Sequence, residues 1–69
     1  MKNKFAERLK ELREDKGFNI IQLAKEVGFS ANAISRWERG LRIPNAETIF
    51  ILCEYFCCSA DFLIGLKED

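Results

Sequence analysis

The stretch "LAKEVGFSANAISRWERGLRIP", residues 23–44, decides the fold of this chain. Apolar residues recur at helical spacing on both sides of a three-residue link at positions 28–30. The segment after the link opens with three short side chains, Ala31, Asn32 and Ala33. It then carries arginines at positions 36, 39 and 42. An exposed helical turn with only short side chains, followed by three arginines, needs a physical explanation.

Two helices joined by so short a link, with a glycine at its start, cross at a steep angle. Such a crossing needs a small residue where the helices approach, which Ala24 supplies, and a positive φ in the link, which favours Gly28. The angle between the helices must be filled by apolar side chains, and the sequence provides Leu23, Val27, Phe29, Ile34 and Trp37. All seven positions hold the residue type that the geometry requires. The stretch therefore predicts a helix-turn-helix.

Start signals and apolar stripes predict five helices in all. Phe5, Leu9 and Leu12 form a stripe on the first. Asn19, Ser30, Asn45 and Ser59 are candidate N-caps for the others. The predicted helices cover residues 4–16, 20–27, 31–39, 46–56 and 60–64. No alternating strand pattern interrupts them, so the prediction is an all-α single domain over residues 1–69 with its core at about 4–66.

The quoted stretch resembles the Cro/C1-type (XRE-like) helix-turn-helix domains of phage and bacterial repressors. The stretch "ERLKELREDKG" is similar to the first helix of that family and "SADFLIG" to its fifth. The resemblance covers about residues 4–66. It implies a compact five-helix lambda-repressor-like domain that binds double-stranded DNA sequence-specifically as a transcriptional regulator, and we expect this regulator to be a repressor.

The resemblance also implies that the helix at 31–39 is the recognition helix and enters the DNA major groove. A groove about 12 Å wide accepts no bulk on the leading turn of a helix, which accounts for the short side chains. By analogy, the base-contacting residues are Ala31, Asn32, Ser35 and Arg36. Contacts to the DNA backbone are expected from Asn19, Lys25, Ser30, Arg39, Arg42 and Asn45. Helix capping alone explains Asn19, Ser30 and Asn45, and a phosphate contact would be an additional role.

Glu38 is an acid among arginines, close to the expected position of a polyanion. The family pattern pairs this residue with an arginine of the first helix, which here is Arg13. The resemblance therefore implies a largely buried ion pair between Arg13 and Glu38 that joins the first and third helices.

The sequence departs from the family pattern at two positions. The family usually opens its second helix with a glutamine that contacts a phosphate, and here Ile20 occupies that position, followed by Ile21. Either DNA binding is weakened or reoriented, or the two isoleucines form an exposed apolar patch for a partner. Cys57 lies where the family often has glycine, so a positive φ is expected at a cysteine.

The last two helices carry more apolar residues than one small core requires. The surplus predicts a homodimer contact near the C-terminal end, and a two-fold dimer would match a palindromic operator. The alternative is scattered surface apolar residues without a partner. The candidate contact residues are Phe50, Ile51, Phe62, Ile64 and Leu66.

The net charge of zero conceals an asymmetry. Residues 1–42 hold ten Lys/Arg and six Asp/Glu, a balance of +4, whereas residues 43–69 hold one Lys and five Asp/Glu, a balance of −4. The basic half suits an anionic partner. The neutral total and Ile20 suit a rival interpretation, in which the same fold is a protein-interaction module of the antitoxin or anti-repressor type.

Other classes of function are not expected. The chain has no histidine, no nucleophile–base constellation and little room for a pocket, so we predict no enzyme, no cofactor, no small-molecule ligand and no metal site. Cys53, Cys57 and Cys58 are predicted to be reduced, mostly buried thiols, with Cys53 and Cys57 on one helix face. No apolar run approaches the roughly 18 residues of a membrane span, and Met1 to Lys10 lack a signal-peptide core, so a cytoplasmic location is expected.

Overall fold

The computed structural model describes residues 4–66, so the predicted domain extends three residues beyond this range at each end. These residues form five α-helices and no strand. The helices are α1 (Phe5–Asp15), α2 (Ile20–Val27), α3 (Ala31–Glu38), α4 (Ala46–Phe56) and α5 (Ala60–Ile64). The all-α prediction is confirmed. Three of the predicted ranges match, whereas α1 is one residue shorter at each end and α3 ends at Glu38, with Arg39 as its C-cap.

Side-chain caps start four of the five helices where the sequence predicts them. The side chains of Ser30, Asn45 and Ser59 each accept a hydrogen bond from the backbone N–H three residues later. Asn19 does the same with Gln22, whose side chain in turn accepts from the Asn19 N–H, both at 2.8 Å. This reciprocal capping box satisfies two otherwise unpaired donors and fixes the start of α2.

Every helix ends in the same hydrogen-bonded turn. Just beyond each helix, a backbone N–H donates to the carbonyl five residues earlier, as Phe18 does to Arg13 and Cys58 to Cys53. This turn requires a left-handed residue. Four helices use glycine there, and α4 uses Cys57 at φ 56°. The positive φ expected at Cys57 is therefore confirmed.

One core joins all five helices. The fully buried side chains are Phe5, Leu9, Leu23, Ile34, Leu52 and Leu63. The helix α3 packs against α1 and α2, and α5 packs against α1 and α4. Between α2 and α3, Gly28 adopts φ 80°, Ala24 is buried, and the Phe29 ring meets Trp37 edge-on at 5.5 Å between ring centroids. The predicted helix-turn-helix is thus confirmed in its backbone and its filling.

The left-handed conformation at Cys57 generates a stability prediction. The left-handed conformation costs a residue with a Cβ about 1–2 kcal/mol, and glycine adopts it without this cost. Glycine also raises the conformational entropy of the unfolded chain, which offsets part of the gain. We expect Cys57→Gly to raise the free energy of unfolding by about 0.5–1 kcal/mol, measured by urea denaturation under reducing conditions. Cys57→Ala is the matched control and should leave stability unchanged. A loss of stability in the glycine variant would contradict the strain argument.

Candidate nucleic-acid interface

The orientation of α3 is fixed by its buried side. Ile34 and Trp37 are buried in the core, and Ala31 and Ala33 pack against its edge. The remaining side of α3 faces outward, and there Asn32 and Arg36 are exposed one helical turn apart. Ser35 is half-buried beside them. The four predicted base-contacting residues therefore divide into two exposed polar side chains and two short, half-buried ones, so no large side chain stands in front of Asn32 and Arg36.

The six predicted backbone-contacting residues are all exposed: Asn19, Lys25, Ser30, Arg39, Arg42 and Asn45. Three of them are the N-caps of α2, α3 and α4, and their side-chain oxygens are already used for capping. Arg39 is the C-cap of α3, and Arg42 lies in the loop that follows. This set brings together helix starts, which carry partial positive charge, and exposed cationic side chains. Their contact with phosphates stays a prediction.

Arg13 and Glu38 form the ion pair that the resemblance implied. The Arg13 Nε donates to Glu38 Oε2 at 2.7 Å, and its Nη2 donates to Oε1 at 2.9 Å. The two side chains are only 10% and 5% exposed. The hydrogen bonds to Glu38 raise the pKa of Arg13, and the opposite charges of an arginine–carboxylate pair neutralise each other. The acid beside the arginines of α3 is thereby removed from any approaching anion.

The same guanidinium group makes a contact that the sequence analysis missed. The Arg13 Nη1 donates to the Phe18 carbonyl oxygen at 2.8 Å, so one side chain joins α1, the α1–α2 turn and α3. Arg8 was missed as well. It is buried, donates to the Phe62 carbonyl at 2.6 Å and lies 4.3 Å from the centre of the Phe62 ring. A signal existed, because Arg8 lies three residues after Phe5 on the same helical stripe.

The apolar residues assigned to a dimer contact are unequally available. Phe50 and Leu66 are 65% and 71% exposed, and Ile51 is 38% exposed. Phe62 and Ile64 are half-buried, and the Arg8 guanidinium lies over the Phe62 ring. Leu41 and Ile43, which the sequence analysis did not single out, are exposed in the loop after α3. The dimer contact stays a prediction, and of its five candidate residues Phe50, Ile51 and Leu66 are exposed.

Two expectations are corrected here. Ile20 does not belong to an exposed patch with Ile21, because Ile20 is half-buried and packs against the core, whereas Ile21 is 60% exposed. Cys57 shares no helix face with Cys53, because the left-handed turn carries Cys57 out of α4 and leaves it exposed. Cys58, the residue after this turn, donates its backbone N–H to the Cys53 carbonyl at 3.1 Å.

Residues 4–66 hold no group of three or more His, Cys, Asp or Glu side chains placed to bind a metal ion. None of the five helices is long and apolar enough to cross a membrane.

The chain is similar in sequence to known helix-turn-helix proteins. A family model described as helix-turn-helix matches residues 9–63. The chain is 40% identical over 63 residues to repressor protein C2 of Salmonella phage P22, covering 91% of this chain and 28% of that protein. It is 36% identical over 64 residues to the transcriptional activator BcrR of Enterococcus faecalis, covering 93% and 31%. The chain thus spans about three-tenths of the length of these relatives.

A solved structure shares the fold. The crystal structure of the P22 c2 repressor in complex with a synthetic operator superimposes with a TM-score of 0.80 at 37% identity. The match covers 87% of this chain and 91% of that one. The lambda-repressor-like fold that the resemblance implied is therefore confirmed.

The Arg13–Glu38 pair generates the next prediction. Replacement of one partner leaves the other charge buried without compensation, which typically costs about 3–5 kcal/mol. We expect Glu38→Ala to lower the free energy of unfolding by this amount in urea titrations. Glu11→Ala, an exposed acid on α1, is the control and should change stability little. Equal stability of the two variants would show that the pair does not hold α3 in place.

Proposed function

The chain belongs to the helix-turn-helix family, and on that premise we propose that it binds double-stranded DNA sequence-specifically as a transcriptional regulator, with α3 in the major groove. One observation carries the proposal. Asn32 and Arg36 are exposed one turn apart on α3. The opposite side of this helix is buried in the core, and its Glu38 is hydrogen-bonded to Arg13 of α1. A side chain can distinguish base edges only if the helix that carries it is held in place, and the core contacts and the ion pair with Arg13 hold α3.

Each side chain of the exposed face has a chemical counterpart in the groove. The guanidinium of Arg36 matches the O6 and N7 acceptors of guanine, and the amide of Asn32 matches the N6 and N7 of adenine. The methyl group of Ala31 suits a thymine methyl, and the hydroxyl of Ser35 accepts or donates to either edge. Ala31 and Ser35 are short and half-buried, so they do not project beyond Asn32 and Arg36, whose longer side chains could therefore contact base edges.

Phosphate contacts would fix the register of α3 without reading sequence. We assign these contacts to Arg39 and Arg42, to Lys25, and to the helix starts at Asn19, Ser30 and Asn45. Ile20 cannot donate the hydrogen bond that the family's glutamine makes, and its side chain is committed to the core. We therefore expect fewer phosphate contacts at the start of α2, with the arginines after α3 carrying more of the salt-dependent affinity.

Repression is the regulatory outcome that we propose, by occupancy of an operator. The relatives named above include both a repressor and an activator, and a binding-only domain serves either role. We propose binding alone, without catalysis and without a cofactor. We also propose a cytoplasmic location, where the chain would meet its DNA.

A homodimer on a palindromic operator is the assembly that we propose. Phe50 and Ile51 on α4 and Leu66 after α5 remain exposed although they are strongly apolar. Their burial in a two-fold contact would stabilise the dimer by the hydrophobic effect. Two α3 helices related in this way would contact half-sites about one helical turn apart, near 34 Å.

The experiment is selection of bound duplexes from a random pool, with Arg36→Ala as the variant. We expect a palindromic motif for the parent chain and loss of preference at one base step per half-site for the variant, at a cost of about 1–3 kcal/mol. Lys10→Ala removes the same charge from an exposed position on α1 outside the proposed contacts and should leave the motif intact. Failure of a folded chain to enrich any motif at low salt would favour the protein-partner alternative, with Ile21 as the first residue to change.

Salt dependence tests the phosphate assignments separately. We expect Arg42→Ala to weaken binding uniformly across sequences and to reduce the slope of log K against log salt by about 1. The measurement is fluorescence anisotropy with one duplex over a range of salt concentrations. Lys10→Ala should leave the slope unchanged. An unchanged slope in Arg42→Ala would remove Arg42 from the phosphate contacts.

A further inference from the structure

The outward face of α4 carries two apolar side chains between two carboxylates. Glu47, Phe50, Ile51 and Glu54 lie at positions i, i+3, i+4 and i+7 of this helix, so they form one stripe along it, which we call the α4 stripe. All four residues are exposed, Phe50 at 65% and Ile51 at 38%. The two carboxylates are separated by about 10 Å along the helix axis.

Packing and helix stability do not account for the α4 stripe. The inward side of α4 is supplied by other residues, Ile49, Leu52, Cys53 and Phe56. Glu54 lies in the last turn of α4, where the partial negative charge of the helix end disfavours a carboxylate. Positions 43–66 contain no Lys or Arg, and within residues 4–66 neither carboxylate of the stripe forms an ion pair. The fold therefore leaves both the apolar area and the negative charge of the stripe without a counterpart.

We propose that the α4 stripe docks a basic amphipathic helix of a partner protein. A helix with two cationic residues seven positions apart and two apolar residues between them repeats the spacing of the stripe. Its cations meet Glu47 and Glu54, and its apolar residues cover Phe50 and Ile51. An extended strand spaces the residues of one face about 6.6 or 13 Å apart, which does not match the separation of about 10 Å. The proposal does not depend on the proposed DNA binding.

The charge of the α4 stripe disfavours other occupants. Two carboxylates without counter-ions repel nucleic acid and anionic membrane surfaces. Two copies of the stripe placed face to face would set carboxylates against carboxylates in the parallel and in the antiparallel orientation, and such like-charge contacts are unfavourable. The homodimer proposed above also uses Phe50 and Ile51, so a partner helix bound to the stripe would compete with the second copy for these two residues.

The test is a titration of a labelled synthetic peptide with the full chain, followed by fluorescence anisotropy in the absence of DNA. The peptide is held helical by a covalent staple on its far side, and its binding face carries two lysines seven positions apart with two leucines between them. A control peptide has glutamates in place of the lysines. We expect saturable, weak binding of the lysine peptide, because the contact is small. The glutamate peptide should bind at least about tenfold more weakly. Equal binding of the two peptides, or no saturation at about 1 mM chain, would overturn the proposal.

Two alanine variants locate the apolar part of the contact. Phe50→Ala should lower the affinity for the lysine peptide at least about tenfold. Leu66→Ala is the matched control, because it removes a similarly exposed apolar side chain that lies outside the α4 stripe, and it should leave the affinity unchanged. Equal losses in the two variants would overturn the assignment to the stripe. Sedimentation that changes in Phe50→Ala while peptide binding does not would assign the stripe to a second copy of the chain instead.

A charge exchange tests the two carboxylates. The double variant Glu47→Lys with Glu54→Lys should bind the glutamate peptide more tightly than the lysine peptide, which reverses the preference of the parent chain. An unchanged preference would overturn the proposal. If circular dichroism shows that this variant is unfolded, the double variant Glu47→Gln with Glu54→Gln replaces it and should weaken lysine-peptide binding about tenfold. Arg36→Ala should bind the lysine peptide as the parent chain does, so the result is independent of the test of DNA binding.

Discussion

The rest of the structure depends on a single side chain, the guanidinium of Arg13. It uses Nε and Nη2 on the Glu38 carboxylate and Nη1 on the Phe18 carbonyl, all within 2.9 Å. Three parts of the chain, α1, the turn after it and the end of α3, are thereby held together where little water enters. A bidentate pair restricts orientation as well as distance. The outward face of α3 consequently points in one direction, which a surface that reads another molecule requires.

Because α3 is held in this way, some of its side chains are buried contacts and others are exposed. Glu38 is withdrawn into the pair, so the negative charge of the helix is neutralised and Arg36, Arg39 and Arg42 dominate the exposed surface around it. The short residues at the start of α3 pack against the core edge and leave Asn32 standing clear. Three of the ten basic residues of positions 1–42 lie on α3 or directly after it, whereas the acidic balance lies in residues 43–69.

Sequence patterns predicted the parts of the fold that depend on local chemistry. The caps at Asn19, Ser30, Asn45 and Ser59 and the left-handed turn at Gly28 each follow from one residue type at one position. Predictions failed where a distant element decides the outcome. Ile20 and Ile21 are the same residue type, yet only Ile20 packs against the core, and Cys57 leaves the helix face of Cys53 because its backbone is left-handed. The operator sequence is beyond such reasoning, because it also depends on DNA shape.

The most direct test of the central claim is amide chemical-shift mapping of the ¹⁵N-labelled chain with a selected duplex and with a scrambled duplex of equal length. If α3 reads base edges, the shifts specific to the selected duplex should centre on Ala31, Asn32 and Arg36, and both duplexes should affect Arg39 and Arg42. Shifts that are identical for the two duplexes, or that are confined to Ile21 and residues 43–66, would contradict the account. In that event the exposed face of α3 would not be a reading surface.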